Sequence, residues 1–167
     1  MKKMLKVRPF QETLNAGMCG PASLKIVLKY FGVEASEQEL AELSGASLKL
    51  GTDDKGIARA GKHFGFRVKI KNKSTFRDIE KYLDADIPVI VDWFSRGRSD
   101  YPDSCAADGH YSVACGIDDE HIYLQDPEIG KVRKMKKEDF AAVWFDFAGR
   151  RIEPGELIIR QLIAIYK

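Results

Sequence analysis

Cysteine, histidine and aspartate occur in this chain at positions that suit nucleophilic attack on a carbonyl group. Cys19 ends a polar, glycine-containing turn and begins a predicted amphipathic helix, in the segment Asn15 to Ser23. Unpartnered backbone N–H groups and the positive end of the helix dipole favour a thiolate there. The turn is therefore predicted to carry a nucleophile. The alternative is a small buried hydrophobe, which is how most free cysteines behave.

The base that such a cysteine needs is predicted at His110. His110 begins a predicted strand, and the preceding Gly109 leaves room for a substrate backbone. Alternation along the strand puts Cys115 on the face opposite His110, so Cys115 is predicted to belong to the core. Nothing in the sequence around Cys105, which lies in a polar loop, indicates that it takes part in the reaction.

The group that orients this base is predicted to be Asp126. It lies sixteen residues after His110, at the end of the next predicted strand and directly before Pro127. Adjacent antiparallel strands would bring it back beside His110, where its carboxylate could accept the imidazole N–H. An Asp-Pro pair can also simply end a strand in a turn. Asp108 and Asp92 are weaker candidates for the same role.

An oxyanion hole requires donors aimed at the carbonyl oxygen. The backbone N–H of Cys19 is one candidate, and the side-chain amide of Gln11, which arrives from an extended lead-in, is the other. Asn15 is a rival for the second donor. Gln11 could equally be an ordinary exposed glutamine.

Length and composition describe one ordinary globular domain spanning residues 1–167. The 167 residues carry a formal net charge of +2, which does not imply nucleic-acid binding, and no apolar run is long enough for a membrane span. The cysteines, three in number, show no C-x-x-C spacing, which fits a reduced, cytoplasmic compartment better than a disulfide framework. Neither a metal site nor a cofactor is predicted.

The order of predicted elements indicates an α+β fold in two lobes. The first lobe, about residues 1–84, is mainly helical, with a half-buried strand near residues 66–70; the second, about 85–167, is mainly strands. In the second lobe we predict strands at about 110–117, 121–125 and 131–135, a helix at 137–145 and a last strand from Leu157 to Tyr166. The basic run Lys131 to Lys137 is predicted to be a solvated strand edge and helix start, with docking of an acidic partner as a minor alternative.

The long polar loop at residues 95–107 follows Trp93 and Phe94 and is the predicted source of specificity contacts. Trp93 is a candidate substrate-binding residue together with Gly109. The alternative for both aromatic residues is a place in the core.

The motifs at Gln11, Cys19 to Ser23, Gly109 to Tyr111 and Asp126-Pro127 together resemble the bacteriocin-processing, double-glycine leader peptidases, a papain-like cysteine peptidase family. The resemblance implies a helical lobe with an N-terminal nucleophile helix packed against a twisted antiparallel sheet. It also implies that Cys19 is the nucleophile, His110 the base, Asp126 the orienting residue and Gln11 the oxyanion donor. Gln11 lies further from Cys19 than in the family pattern.

The resulting hypothesis is a stand-alone cysteine peptidase that acts on a peptide or protein through an acyl-enzyme, with its substrate undefined. Many members of the resembled family are fused to a membrane transporter, so specificity for double-glycine leaders is not carried over. Two alternatives stay open. One is a papain-like module that binds a peptide or partner without turnover, and the other is a thiol amidase or acyltransferase.

Overall fold

The computed structural model describes residues 3–48, 50–95, 109–147 and 153–167. Its helices are α1 (Cys19–Tyr30), α2 (Glu37–Ser44), α3 (Asp54–His63), α4 (Phe76–Asp84) and α5 (Lys137–Val143). Its strands are β1 (Lys3–Met4), β2 (Arg67–Lys71), β3 (Val89–Phe94), β4 (Gly109–Ile117), β5 (His121–Asp126), β6 (Lys131–Lys136), β7 (Phe145–Phe147), β8 (Leu157–Ile159) and β9 (Leu162–Tyr166). A short 3-10 helix, Pro154–Glu156, precedes β8.

One antiparallel sheet organises the described part of the chain. Its strand order is β2-β9-β3-β4-β5-β6, and β1 adds to β4 beyond the segment that pairs with β3. The strands β7 and β8 form a separate two-stranded sheet. Since β4 is central and pairs with both β3 and β5, residues from three successive strands meet near its first residues.

Helices cover both faces of the sheet. Leu24, Val27 and Leu28 of α1 pack with Tyr111 and Val113 on one face, in a cluster that also includes residues of α2 and α3. The opposite face packs against α4 and α5 through residues that include Leu83, Trp93, Ala114 and Phe140. The alternation predicted for β4 is therefore confirmed, and so is the α+β fold of helices against a twisted antiparallel sheet.

The predicted helix starts are also found. Ser36 accepts a hydrogen bond from the backbone N–H of Glu39 and caps α2. Thr75 and Asp78 form a reciprocal capping box at α4. Each such cap stabilises its helix by about 1 kcal/mol, because it satisfies a backbone donor that the helix itself cannot.

Two predicted elements differ in the structure. The single last strand from Leu157 to Tyr166 is wrong, because Arg160 has a φ of 48° and this left-handed residue separates β8 from β9. The predicted helix at 137–145 ends at Val143, since Phe145 already belongs to β7.

The solvated edge predicted for Lys131 to Lys137 is also wrong in part. Arg133 and Met135 are 8% and 4% exposed and face the core side of β6, whereas Val132 and Lys134 face solvent. Met135 joins the apolar core, while Arg133 is buried because it forms an ion pair with Asp126.

Candidate active site

His110 and Asp126 form the buried centre of the site. The register of β4 and β5 pairs Val113 with Gln125. Asp126, the last residue of β5, therefore lies towards the start of β4. There the Nε2 of His110 lies 2.7 Å from the Oδ1 of Asp126. The two side chains are 2% and 0% exposed. The strand arrangement expected from the sequence is thus the arrangement found.

Cys19 is the first residue of α1 and is half-buried. It lies close enough to His110 to contribute to the raised pKa of that histidine. Because Asp126 engages Nε2, Nδ1 is the ring nitrogen that remains for the sulfur. Cys115 is a buried free thiol on the other side of β4, where it donates to the carbonyl of Tyr123, and it belongs to the core as predicted.

The start of α1 lacks the side-chain cap that the other helices of the first half possess. Met18 occupies the N-cap position and its side chain makes no capping hydrogen bond, and the first turn contains no acidic residue. By contrast, Ser36, Asp53 and Thr75 cap α2, α3 and α4 with side-chain oxygens. The N-terminal backbone donors of α1 and its dipole are therefore not neutralised by a cap beside the sulfur of Cys19.

Charge interactions oppose the effect of burial on His110. Burial by itself lowers its pKa, but the carboxylate of Asp126 and the interaction with Cys19 outweigh this and raise the pKa from 6.5 to about 10. For Asp126, burial raises the pKa, while the charges of His110 and Arg133 together hold it below its ordinary value. Both shifts act in the same sense and favour an imidazolium beside a carboxylate.

Asp126 accepts two further hydrogen bonds that sequence reasoning did not find. The backbone N–H of Glu128 donates to Oδ1 at 3.0 Å, and Nε of Arg133 donates to Oδ2 at 3.0 Å. The signal for Arg133 was present in the sequence, since it alternates with Met135 along a predicted strand. It was obscured by the basic residues on either side.

Gln11 lies in the lead-in that runs alongside the turn after Asp126. The backbone N–H of Glu12 donates to the carbonyl of Pro127, and the amide of Gln11 donates to the carbonyl of Glu128 at 3.0 Å. Gln11 is exposed. Asn15, its rival, is exposed too and has a φ of 57°, in the left-handed region.

Glu12 is a half-buried carboxyl that sequence reasoning missed. Burial is the main cause that raises its pKa from 4.5 to about 7, with the charge of His110 acting in the opposite direction. Glu12, His110 and Glu128 bring potential metal-ligand atoms within 4.8 Å of one another. Since one nitrogen of His110 is engaged by Asp126 and the other faces Cys19, we assign no metal to this group.

Asp92, on β3, is a buried carboxyl near Cys19 and His110 but not the partner of the histidine. Burial is the main cause that raises its pKa well above the usual value, and the charge of the neighbouring Asp146 raises it further. Asp146 also lies against Gly109, where an added Cβ would come within 2.2 Å of its carboxylate. The space beside Gly109 is therefore filled by Asp146 in this structure.

Trp93 packs beneath the ring of His110. It is the register partner of His110, its ring centroid lies 5.7 Å from that of the imidazole, and its Nε1 donates to the hydroxyl of Ser112. With 0% of its surface exposed, it corresponds to the core alternative rather than to a surface that touches substrate. Cys105, Asp108 and residues 96–107 of the predicted specificity loop lie outside the described residues.

The whole arrangement can be compared with known proteins. A sequence profile described as the Peptidase_C39 like family matches residues 4–151. The chain belongs to the peptidase C39-like family. This membership makes it a cysteine peptidase of papain-like fold, as the motifs predicted. Among the described residues, no helix is long and apolar enough to cross a membrane.

Two proteins with sequences similar to this chain differ greatly in length. An uncharacterized protein of Methanothermobacter thermautotrophicus is 32% identical over 126 residues, which is 75% of each chain. The lactococcin-G-processing and transport ATP-binding protein LagD of Lactococcus lactis is 31% identical over 126 residues, which is 75% of this chain but 16% of LagD. The present chain thus corresponds to a small part of the transporter.

A solved peptidase domain has a similar fold. The peptidase domain of Streptococcus ComA, a bifunctional ABC transporter involved in quorum sensing, superposes with a TM-score of 0.68 at 27% identity. The match covers 99% of this chain and 98% of that domain. The present chain and the ComA peptidase domain therefore correspond over nearly their full lengths.

Proposed function

We propose that Cys19, His110 and Asp126 are the catalytic triad of a hydrolase that cleaves peptide bonds. The observation that carries this proposal is the position of His110, which lies 2.7 Å from the buried carboxylate of Asp126 and close enough to Cys19 for the two to interact. A charged imidazole beside a cysteine at an uncapped helix start favours the thiolate form of that cysteine. Residues 1–167 would act as one peptidase domain.

The reaction then follows the acyl-enzyme route. The thiolate of Cys19 attacks the carbonyl carbon of the scissile bond, and the tetrahedral oxyanion receives hydrogen bonds from the backbone N–H of Cys19 and the amide of Gln11. His110 donates its proton to the leaving amine, and the C–N bond breaks to leave a thioester. His110 next takes a proton from water, whose oxygen attacks the thioester and releases the acid and the Cys19 thiolate.

Gln11 has one requirement to meet in this role. Its amide must leave the carbonyl of Glu128, to which it donates in this structure, and turn towards the oxyanion. Such a donor is worth on the order of 3 kcal/mol of transition-state stabilisation, more than a surface hydrogen bond of about 1 kcal/mol that the amide gives up. The exchange is therefore energetically reasonable.

The substrate is proposed to be a peptide in extended form. Support comes from the processing role in the name of LagD and from the peptidase domain of ComA, both of which share this region of sequence. Specificity for a particular peptide sequence, such as a leader, would depend on residues outside the triad.

A direct test incubates the chain with a proteome-derived peptide library and identifies new termini by mass spectrometry. We expect the wild-type protein and Cys115→Ala to produce the same new termini and Cys19→Ala to produce none. Fragment masses that sum to the substrate plus one water indicate hydrolysis, whereas a mass gained by an added amine indicates acyl transfer. Peptides that are retained but uncut by the wild-type protein would contradict the proposal and favour a binding module.

A further inference from the structure

A cation is buried behind the proposed triad on its far side from Cys19. Arg133 donates from Nε to Oδ2 of Asp126 at 3.0 Å, and the two side chains are 8% and 0% exposed. The other oxygen, Oδ1, faces His110. The site therefore contains a row of four groups, Cys19, His110, Asp126 and Arg133, in which a thiolate, an imidazolium, a carboxylate and a guanidinium would alternate in sign.

The position of Arg133 on β6 is one where an apolar residue would serve the fold. It pairs with Leu124 on β5 and lies on the same side of the strand as the buried Met135. Buried ion pairs are on average no more stabilising than apolar residues of similar volume. The burial of an arginine here is thus better explained by what it does to Asp126 than by stability.

We propose that Arg133 is a positioning residue that fixes the Asp126 carboxylate and sets the pH range in which Cys19 and His110 exist as an ion pair. The inference rests on the proposed triad and extends it to a residue on the neighbouring strand. A planar guanidinium bound to Oδ2 restrains rotation of the carboxylate, so that Oδ1 stays aimed at Nε2 of His110.

The charge of Arg133 acts in addition to its geometry. A fixed cation favours the ionised thiol and opposes the protonated imidazole, so it shifts both ionisations of the pair to lower pH. Without Arg133, both would move to higher pH together. A change in folding or packing alone would lower the reactive fraction without moving both limbs in the same direction.

Five other titratable residues face the triad and are still present in an Arg133 variant. They are Glu12 in the lead-in, Glu128 after β5, Tyr111 on β4, Asp92 on β3 and Asp146 on β7. Burial raises the pKa of Glu128, and the charge of Arg133 partly offsets this rise. A Glu128→Gln background separates that contribution from the effect on Asp126.

The test measures alkylation of Cys19 against pH in the full chain, by intact mass and peptide mapping. Iodoacetamide reports the fraction of thiolate, and the anionic iodoacetate also reports the loss of the neighbouring imidazolium at high pH. We expect Arg133→Met to move both limbs upward by about one pH unit and Arg133→Lys to keep them near the wild-type positions with slower peptide hydrolysis. Lys134→Met, which removes an exposed charge from the same strand, should leave both limbs in place.

The outcomes separate this inference from the proposed function. Limbs that stay in place in Arg133→Met, at any rate of hydrolysis, overturn the role of Arg133 while leaving the triad intact. A wild-type Cys19 that titrates as a free thiol overturns the triad and Arg133 with it. If Arg133→Met does not fold, Arg133→Gln, which is neutral but still able to donate to Oδ2, replaces it with the same expected shift.

Discussion

The carboxylate of Glu12 lies within 4.8 Å of a ring nitrogen of His110, although the two residues are almost a hundred positions apart in the chain. The contact exists because the lead-in bonds to the turn that follows Asp126, through the hydrogen bond from Glu12 N–H to Pro127. A half-buried acid is thereby held at the edge of the proposed triad.

Glu12 should make the stability of the protein fall as the pH rises. Its pKa is raised to about 7, so the unfolded chain ionises from about pH 4.5 while the folded chain keeps the proton until about pH 7. The stabilisation is complete below pH 4.5 and is lost between these values. The difference in the free energy of unfolding between Glu12→Gln and wild type, measured by urea unfolding, should increase by on the order of 1–2 kcal/mol from pH 4.5 to 8, after allowance for the partial exposure of Glu12.

Glu138→Gln is the matched control for Glu12, because Glu138 is a well-exposed carboxyl on α5. It should leave the pH dependence of unfolding unchanged. If Glu12→Gln and wild type lose stability in parallel over this range, the burial of Glu12 is not what governs the loss.

Replacing Asp126 with asparagine should narrow the pH range of activity on the alkaline side. The charge of Asp126 is the main cause that offsets burial and raises the pKa of His110 to about 10. The asparagine side chain can still accept a hydrogen bond, but burial then lowers the pKa of the histidine, and the imidazolium is lost at lower pH. We expect hydrolysis to be slower by roughly 10- to 1000-fold, with the alkaline limb displaced downward by more than about one pH unit.

Asp118→Asn provides the comparison for Asp126, since Asp118, in the turn between β4 and β5, is another carboxylate that accepts side-chain and backbone hydrogen bonds, from Tyr123 and His121. Its kinetics should match wild type. An alkaline limb that stays in place in Asp126→Asn would mean that another group sets the ionisation of His110.

The uncapped start of α1 should be functional. An aspartate in place of Met18 would put a negative charge beside the same backbone donors that face Cys19. Met18→Asp is therefore expected to move Cys19 alkylation to higher pH and slow hydrolysis by about tenfold or more, with a stability change within about 1 kcal/mol. Ser36→Ala, at the cap of α2, is the control: it should lower the free energy of unfolding by about 1 kcal/mol and have little effect on Cys19 alkylation. Faster alkylation in Met18→Asp at neutral pH would contradict this role.

Local patterns were sufficient to predict the two sides of the site. The apolar spacing of α1, together with Gly32 just beyond its C-terminus, indicated where Cys19 lies, and the turn signals between β4 and β5 indicated the return of Asp126 towards His110. Both depend on periods of 3.6 and 2 residues, which a sequence displays directly.

The rest of the site depends on contacts between distant segments. Glu12 approaches His110 only through the path of an irregular lead-in, and Asp146 reaches Asp92 only because β7 packs beside β3. Neither path has a periodic signature. Arg133 was missed for a different reason, because the surrounding lysines gave its segment the appearance of a solvated edge. The break between β8 and β9 was missed because arginine, the residue at position 160, does not signal a left-handed conformation.

The most direct measurement of the central claim is the rate of Cys19 alkylation against pH in wild type and in His110→Ala. A free thiol has a pKa of about 8.5. The proposed ion pair predicts that the alkylation of Cys19 in the wild-type protein has its midpoint well below this pH, and that His110→Ala returns the midpoint to it. Identical profiles in the two proteins, both with a free-thiol midpoint, would contradict the claim that Cys19 and His110 act together as nucleophile and base.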